Sequence, residues 1–381
     1  MAVPLIRTSE RKDFKHCQFF WWHHWQNGLT THRAPTWAWF GTAIHKALEA
    51  RYPVGTRRGG IADVLAAFEE ALGEETRRVW SAGDELDDEE VHDARLLGIE
   101  MLKGYVHHWG LDKHWQVLHT EQPFQIDVRH PVTGRLIAIY CGTWDLFLWD
   151  SVDKVHRLVD HKTRKTFLSD WRFYDLDDQG GSYLWVAPEV LRHLGLLSRR
   201  DHIDGIEFNI LRKAMPQAAA EDGIVYNKPK KEHFIRALEL AGADLPVRQT
   251  LPALLKLATE KGLDVKGDPR AKQPTPYYHR HTTRRTEEER VKQGLKVIDE
   301  ARHMDLVRRG QLPLLKHTGE HCARCPLFDF CLLDEQDPTE AQAYAATMLA
   351  QRDPYGDHRE AFEGSGYHVT KEKRGSDTRT R

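Results

Sequence analysis

Three consecutive stretches decide how this chain folds: WQVLHTEQPFQIDV (115–128), RLIAIYCGTWDLFLWD (135–150) and KVHRLVDHKT (154–163). Each is rich in β-branched and aromatic residues, and turn chemistry separates them, HPVTG after the first and WDSVD after the second. The pattern predicts a three-stranded meander. Side chains alternate along a strand, so Asp160 and Lys162 share one face and His161 takes the other. The preceding strand carries a second carboxylate in Gly142-Thr143-Trp144-Asp145, and pairing through the WDSVDKVH turn sets Asp145 beside Asp160. Two carboxylates with open water positions are what Mg²⁺ or Mn²⁺ accepts, and the main-chain carbonyl of His161 can add an oxygen. A neighbouring lysine can position or deprotonate water and offset charge developing on a phosphate. Taken alone, an Asp-x-Lys triplet is equally what a solvated strand edge carries.

Upstream, GTAIHKALEARY (41–52) has Ile44, Ala47 and Leu48 at the spacing of an amphipathic helix, with His45 on it. Segments 61–80 and 90–109 read as two more helices, parted by the acidic stretch Gly83 to Glu90. Glu121 stands one strand before Asp145. Downstream, residues 178–196 return to helical periodicity, with Gln179 and Tyr183 one turn apart on one face. GIEFNILRK (205–213) predicts a further strand, 230–304 reads as helices and charged connectors, and the polar run from Asp353 reads as a disordered tail. The expected fold class is α/β, a mixed central sheet flanked by helices with helical additions at both ends. The expected segments are an N-terminal part (1–40), the core (41–215), a helical insertion (216–310), a cysteine segment (311–335) and the tail (353–381).

The 381 residues can bury a sizeable core, and Lys+Arg 55 against Asp+Glu 57 leave a net charge of −2. Any nucleic-acid contact must therefore come from local basic patches. The charged start MAVPLIRTSERKDFK has no signal-type apolar core, which predicts a cytoplasmic protein with no membrane association. In that compartment five cysteines read as metal ligands plus one spare. Cys322, Cys325 and Cys331 form a C-x2-C-x5-C run in HCARCPLFDFC, and Cys17 in FKHCQFFWW is their plausible fourth partner. Four thiolates can hold an iron–sulfur cluster or a structural zinc. Either would staple the two ends of the chain together. Cys141 lies within an apolar strand and reads as a core residue.

Basic residues gather at Arg212-Lys213, at Lys228, Lys230 and Lys231, and at Arg280, Arg284 and Arg285, the last interleaved with Tyr277, Tyr278 and His279. Such stretches suit a single strand, with phosphates neutralised and bases stacked, or else a solvated helix face. The tryptophans Trp21, Trp22, Trp25, Trp37 and Trp39 read as packing around the first helix and the cysteine site.

In order along the chain stand His45, Glu121, Gly-x-x-Asp (142–145), Asp-x-Lys (160–162) and Gln-x-x-x-Tyr (179–183). This series resembles the PD-(D/E)XK nuclease superfamily in its RecB-like branch. With Cys17 and the C-x2-C-x5-C run it is similar, over roughly residues 15 to 335, to the iron–sulfur exonucleases of CRISPR-associated and phage type, and to nuclease domains of bacterial helicase–nuclease machines. The resemblance implies a restriction-endonuclease-like core in which His45, Asp145 and Asp160 bind Mg or Mn and Lys162 is catalytic. Glu121, Gln179 and Tyr183 would support the site or contact DNA. Cys17, Cys322, Cys325 and Cys331 would hold a 4Fe–4S cluster rather than zinc. The implied activity is metal-dependent exonucleolytic hydrolysis of DNA, single-stranded or at duplex ends, in recombination, repair or phage DNA processing. Its rivals are a catalytically inactive nucleic-acid-binding protein and a nuclease-fold subunit of a larger repair complex. Oligomerisation is left open, and residues 214–310 match no motif.

Overall fold

A computed structural model describes residues 3–32, 35–81, 83–84, 86–168, 170–214, 223–225, 231–266 and 277–370. The chain opens with β1 (Leu5–Ile6), α1 (Thr8–His16), the short α2 (Gln18–Trp21) running on as a π-helical turn, and β2 (Leu29–Thr31). Three helices follow, α3 (Thr36–Arg51), α4 (Ile61–Ser81) and α5 (Asp88–Trp109). The β-rich run then forms β3 (Trp115–Arg129), β4 (Leu136–Asp150) and β5 (Val155–Arg164). A 3₁₀ turn at Trp171–Leu176 leads to α6 (Asp178–His193) and β6 (Ile203–Arg212). Next come β7 (Gly223–Val225), α7 (Lys231–Leu240), α8 (Leu251–Glu260), β8 (Asp264–Lys266), β9 (Tyr278–Arg284) and α9 (Glu287–Arg308). The chain continues through a 3₁₀ turn at Glu320–Arg324 to α10 (Phe328–Gln336), α11 (Pro338–Met348), β10 (Leu349–Gln351), α12 (Gly356–Ser365) and β11 (Tyr367–Val369).

The main sheet has the order β11-β3-β4-β5-β6-β9, with β1 added beside β4. β3, β4 and β5 are the antiparallel meander that the sequence predicts, while β5 and β6 run parallel across the α6 crossover. One face buries Leu158, Ile206 and Phe208 with Leu184 and Val190 of α6 and Val297 and Ala301 of α9. The other buries Leu146, Leu148 and Val159 under Ile44 and Leu48 of α3, Phe68 of α4 and Tyr105 of α5. Each fully buried Ile or Leu on α3 contributes about 1.5–3 kcal/mol, enough to fix that helix, and His45 with it, over the sheet. Among the described residues no helix is long and apolar enough to cross a membrane.

One irregularity positions everything that follows. β4 and β5 pair only from Asp150↔Val155 to Leu146↔Val159; beyond that rung they part. β1 takes up the vacated edge of β4 at Ile139 and Tyr140, while β5 stays in the sheet through β6.

Three expectations need correction. Residues 278–284 are strand β9, paired antiparallel to β6, and α9 packs on the main core, so the stretch up to 310 is not one helical insertion. Between β6 and β9, α7 and α8 form a separate small cluster around Phe234 and Leu254. YHRHTTR hides its strand character because its inward-facing residue is an arginine. Arg280 is not a DNA contact but a core residue, its side chain 11 % exposed. Its guanidinium lies 3.8 Å from the Trp109 ring centre and 4.0 Å from that of Trp115, and donates to both Asp112 oxygens at 2.8 Å and to Tyr52 and Tyr105. Arg284 pairs with Asp204. Third, the polar run after Asp353 is ordered as far as 370: α12 packs on β3, and β11 joins the sheet parallel to β3. Backbone pairing holds that segment, and composition does not show it. Lys228, Lys230 and residues 371–381 lie outside the described residues.

Replacing Arg280 by Ala leaves Asp112 buried without its cation. The expected loss is about 3–5 kcal/mol of unfolding free energy, measured by urea denaturation, since breaking one partner of a buried pair strands the other. A loss below about 1 kcal/mol would put the arginine back on the surface.

Candidate active site

The predicted site residues gather where β4 and β5 part. Continued pairing would place Asp145 opposite Asp160. Instead the Asp145 carboxylate enters the gap, and its Oδ2 accepts the main-chain N–H of His161 at 2.5 Å. In a strand the N–H and C=O of one residue point to the same neighbour, so the His161 carbonyl faces this gap too. On β3, Glu121 falls opposite Asp145, between the rungs Thr120↔Leu146 and Gln122↔Trp144. Its φ is +44°, a left-handed conformation that costs a non-glycine residue of order 1 kcal/mol and concentrates at functional sites. From the α3 side, His45 Nδ1 reaches to 3.4 Å from Asp145 Oδ1. One ligand atom each from His45, Glu121 and Asp145 lies within 4.8 Å of the others. Two carboxylates and one imidazole form a mainly oxygen donor set that fits Mg²⁺ or Mn²⁺.

Asp160 and Lys162 face α6, not α3. Lys162 Nζ is 2.6 Å from Asp160 Oδ2 and donates to Gln179 Oε1 at 2.7 Å. Gln179 Nε2 donates in turn to Asp160 Oδ1 at 3.2 Å and to Tyr183 Oη at 2.9 Å, and the Tyr183 hydroxyl donates to the Thr143 carbonyl. Gln179 and Tyr183 thus hold the Asp-x-Lys pair in place; Tyr183 is buried. Two glycines allow this closeness. A Cβ at Gly180 would meet the Phe208 ring at 2.7 Å, and one at Gly142 would meet Tyr183 at 3.1 Å. The Asp177 side chain caps α6 by accepting the Gly180 N–H. Asp160 stands outside the trio of converging ligand atoms.

The His161 ring takes the opposite face, as strand alternation requires. It stacks near Tyr52 and accepts at Nδ1 from Asn209 Nδ2 at 2.8 Å, which puts its proton on Nε2. Asn209 also donates to Tyr105 and accepts from Arg280 at 3.4 Å. Tyr52, Tyr105, Asp112 and Asn209 were missed at the level of sequence because they come from separate elements and share no motif. The one visible signal was an asparagine in the middle of the apolar strand GIEFNILRK.

Charge is arranged unevenly across the gap. Burial acts to lower the His45 pKa, but the Asp145 carboxylate outweighs it and raises it to about 9. Burial and Asp145 push Glu121 up to about 8, while the His45 cation holds Asp145 well below the usual carboxylate range. Asp160 is raised to about 6 by burial against the pull of Lys162. Lys162 stays above its ordinary value because Asp160 outweighs its burial. Burial drops His161 to about 3, so its ring is neutral.

Away from the metal-ligand trio, Cys17, Cys322, Cys325 and Cys331 line one cavity of about 240 Å³. Cys17 sits in the extended break between α1 and α2. The two chain ends meet through Phe19 N–H to the Leu315 carbonyl and Leu315 N–H to Gln18 Oε1. Phe19, Phe20 and Phe328 also line the cavity, whereas Trp21 and Trp39 are buried in the two main cores. Cys141 is buried, and burial pushes its thiol pKa far up.

A family model of the PD-(D/E)XK nuclease superfamily matches residues 8–332. The chain belongs to this superfamily. Its members are nucleases that use divalent metals, and the His45, Glu121 and Asp145 group is this PD-(D/E)XK protein's acidic and histidine cluster. No curated protein matches the chain.

The two raised groups set a pH dependence. A group whose folded pKa exceeds its unfolded value stabilises fully below the unfolded value and loses that contribution as pH rises through the folded one. For His45 that window is about 6.5 to 9, and for Glu121 about 4.5 to 8. The metal-free protein should therefore melt lower at pH 9.5 than at pH 7, and His45→Gln should remove much of that fall. Mn²⁺ should reverse the trend, stabilising more at pH 8.5 than at pH 6, because ligation displaces the same protons. Melting that ignores pH in both proteins would contradict the pairing of His45 with Asp145.

Proposed function

We propose that this protein is a metal-dependent DNA exonuclease that hydrolyses phosphodiester bonds on single strands or at DNA ends. The observation that carries the reading is the fork between β4 and β5, which brings His45, Glu121 and Asp145 to one side of a gap and the linked Asp160, Lys162 and Gln179 to the other. A bound Mg²⁺ or Mn²⁺ would supply an activated water and offset charge on the phosphate. His45, Glu121 and Asp145 would hold it, with the His161 carbonyl directed to the same gap and Asp160 facing it from the second strand. Lys162 uses two of its three N–H groups on Asp160 and Gln179, leaving one to face a phosphate oxygen or the attacking water. Tyr183 keeps Gln179 in register with that lysine.

Cys17, Cys322, Cys325 and Cys331 hold a 4Fe–4S cluster in this reading. All four thiols line one cavity, and a lone upstream cysteine joined to a C-x2-C-x5-C run suits a cluster better than the two close cysteine pairs of a structural zinc site.

With Mg²⁺ or Mn²⁺ the protein should shorten end-labelled DNA, and chelator should stop it. Asp145→Ala, Asp160→Ala and Lys162→Ala should each slow cleavage by at least about 10²-fold while leaving DNA binding largely intact. Wild-type cleavage by the Asp160 variant would overturn the assignment.

Anaerobically purified protein should be brown, with about four irons per chain. Cys17→Ala should lose the iron and melt at a lower temperature, and Cys141→Ser should keep both colour and stability. One zinc and no iron would remove the cluster from this account.

A further inference from the structure

A separate opening lies at the far ends of the two elements that carry the active site. It is a cleft of about 930 Å³ lined by Thr163, Arg164 and Lys165 at the end of β5, Lys213 after β6, Thr36 at the start of α3, and Pro326 of the cysteine segment. Lys165 follows Lys162 by three residues, about 10 Å along a strand. Thr36 precedes His45 by nine, about 14 Å along a helix. Strand β5 and helix α3 therefore both run from the active site to the cleft. Pro326 lines both this cleft and the cysteine cavity.

Lys213 is the residue that needs explaining. It is half-buried, and its main-chain N–H is fixed to the Arg164 carbonyl at 2.7 Å. Its ammonium lies 5.1 Å over the Phe40 ring, and among the described residues no carboxylate pairs with it. Burial alone pushes its pKa down. Other enclosed cations have acceptors, a carboxylate for Arg280 (Asp112), Arg157 (Asp150) and Arg11 (Glu300), and main-chain carbonyls of Gly59 and Gly110 for Arg51. Arg164 turns instead toward the Tyr174 ring. The wall includes one carboxylate, Glu90, against Lys165 and Lys213. A half-buried, unpaired ammonium facing a cleft beside a second lysine calls for an anion from outside.

We propose that this cleft holds the phosphates of a single nucleic-acid strand as it leaves the active site, with Lys213 and Lys165 as the phosphate contacts. The proposal rests on the nuclease reading above and narrows its substrate to a strand that is single over this stretch. A cleft of this volume, walled by the start of α3, α5 and the cysteine segment, matches a drug-sized ligand or a few linked nucleotides. A few nucleotides of one strand fill such a volume, whereas a duplex carries a second strand that the same volume would also have to hold.

The test is fluorescence anisotropy with the full chain and chelated metal, using oligothymidylates of about 3 and about 12 nucleotides and a blunt duplex. Lys165→Ala/Lys213→Ala should weaken binding of the longer strand on the order of tenfold at 0.1 M salt, and flatten the log–log salt slope by about 1.4, two phosphates at about 0.7 each. Lys213→Arg should keep the wild-type slope. The trinucleotide, too short to reach the cleft, and the duplex should bind both proteins equally. Should the double variant melt early, Lys165→Ala alone, at an exposed position, should still flatten the slope by about 0.7. An unchanged slope, or an equal loss on duplex, would overturn the cleft while cleavage by the wild type kept the nuclease reading. Wild-type protein that neither bound nor cut DNA would overturn both.

Discussion

Where two strands of a sheet separate, main-chain amides lose their partners, and a buried amide without an acceptor costs about 1–3 kcal/mol. At the fork between β4 and β5 the Asp145 carboxylate takes that role for the His161 N–H. The arrangement of the site follows from this substitution. Asp145 is held at the mouth of the gap, one oxygen committed to the main chain and the other toward His45. The strands need not close over Asp160, because β5 satisfies its other edge on β6. The edge of β4 that the departing strand exposes is covered by β1. A side chain that repairs the sheet thereby creates an opening in it, and the same carboxylate lines that opening.

Behind the gap, a chain of polar contacts runs from Asp112 through Arg280 and Asn209 to the His161 ring. The flat faces of Trp109 and Trp115 enclose the arginine, so its charge is met by an ion pair, phenol oxygens and ring faces rather than by water. This assembly ties α5, β6 and β9 to the one residue whose amide pins Asp145. It also keeps His161 neutral, so the positive charge near the gap sits on His45 and Lys162, the two side chains that face it.

Much of this was legible in the sequence, and the failures have physical causes. The meander, the helix bearing His45 and the α6 face with Gln179 and Tyr183 announced themselves because local periodicity and local turn chemistry dictate them. Strand alternation put Asp160 and Lys162 on one face, whereas the expected pairing of Asp145 with Asp160 stops one rung short, at Leu146↔Val159. Strand β9 was not legible, because an inward arginine reads as a surface charge unless its tryptophan and aspartate partners, more than 160 residues away, are known. The order of 356–369 was hidden for a related reason. Its stability comes from main-chain bonds to β3, and main-chain bonds leave no trace in composition.

The position of β11 also has a consequence for biosynthesis. The long strand β3 is the outer edge of the catalytic sheet until Tyr367–Val369 pairs with it, and α12 reaches it only from the same late segment. At roughly 5–20 residues per second of synthesis, that edge waits on the order of tens of seconds for its cover. A long unpaired edge is a template for association between chains. The main sheet is thus among the last parts of the molecule to be completed, and an interrupted nascent chain would leave the β3 edge at Phe124–Ile126 open to pairing.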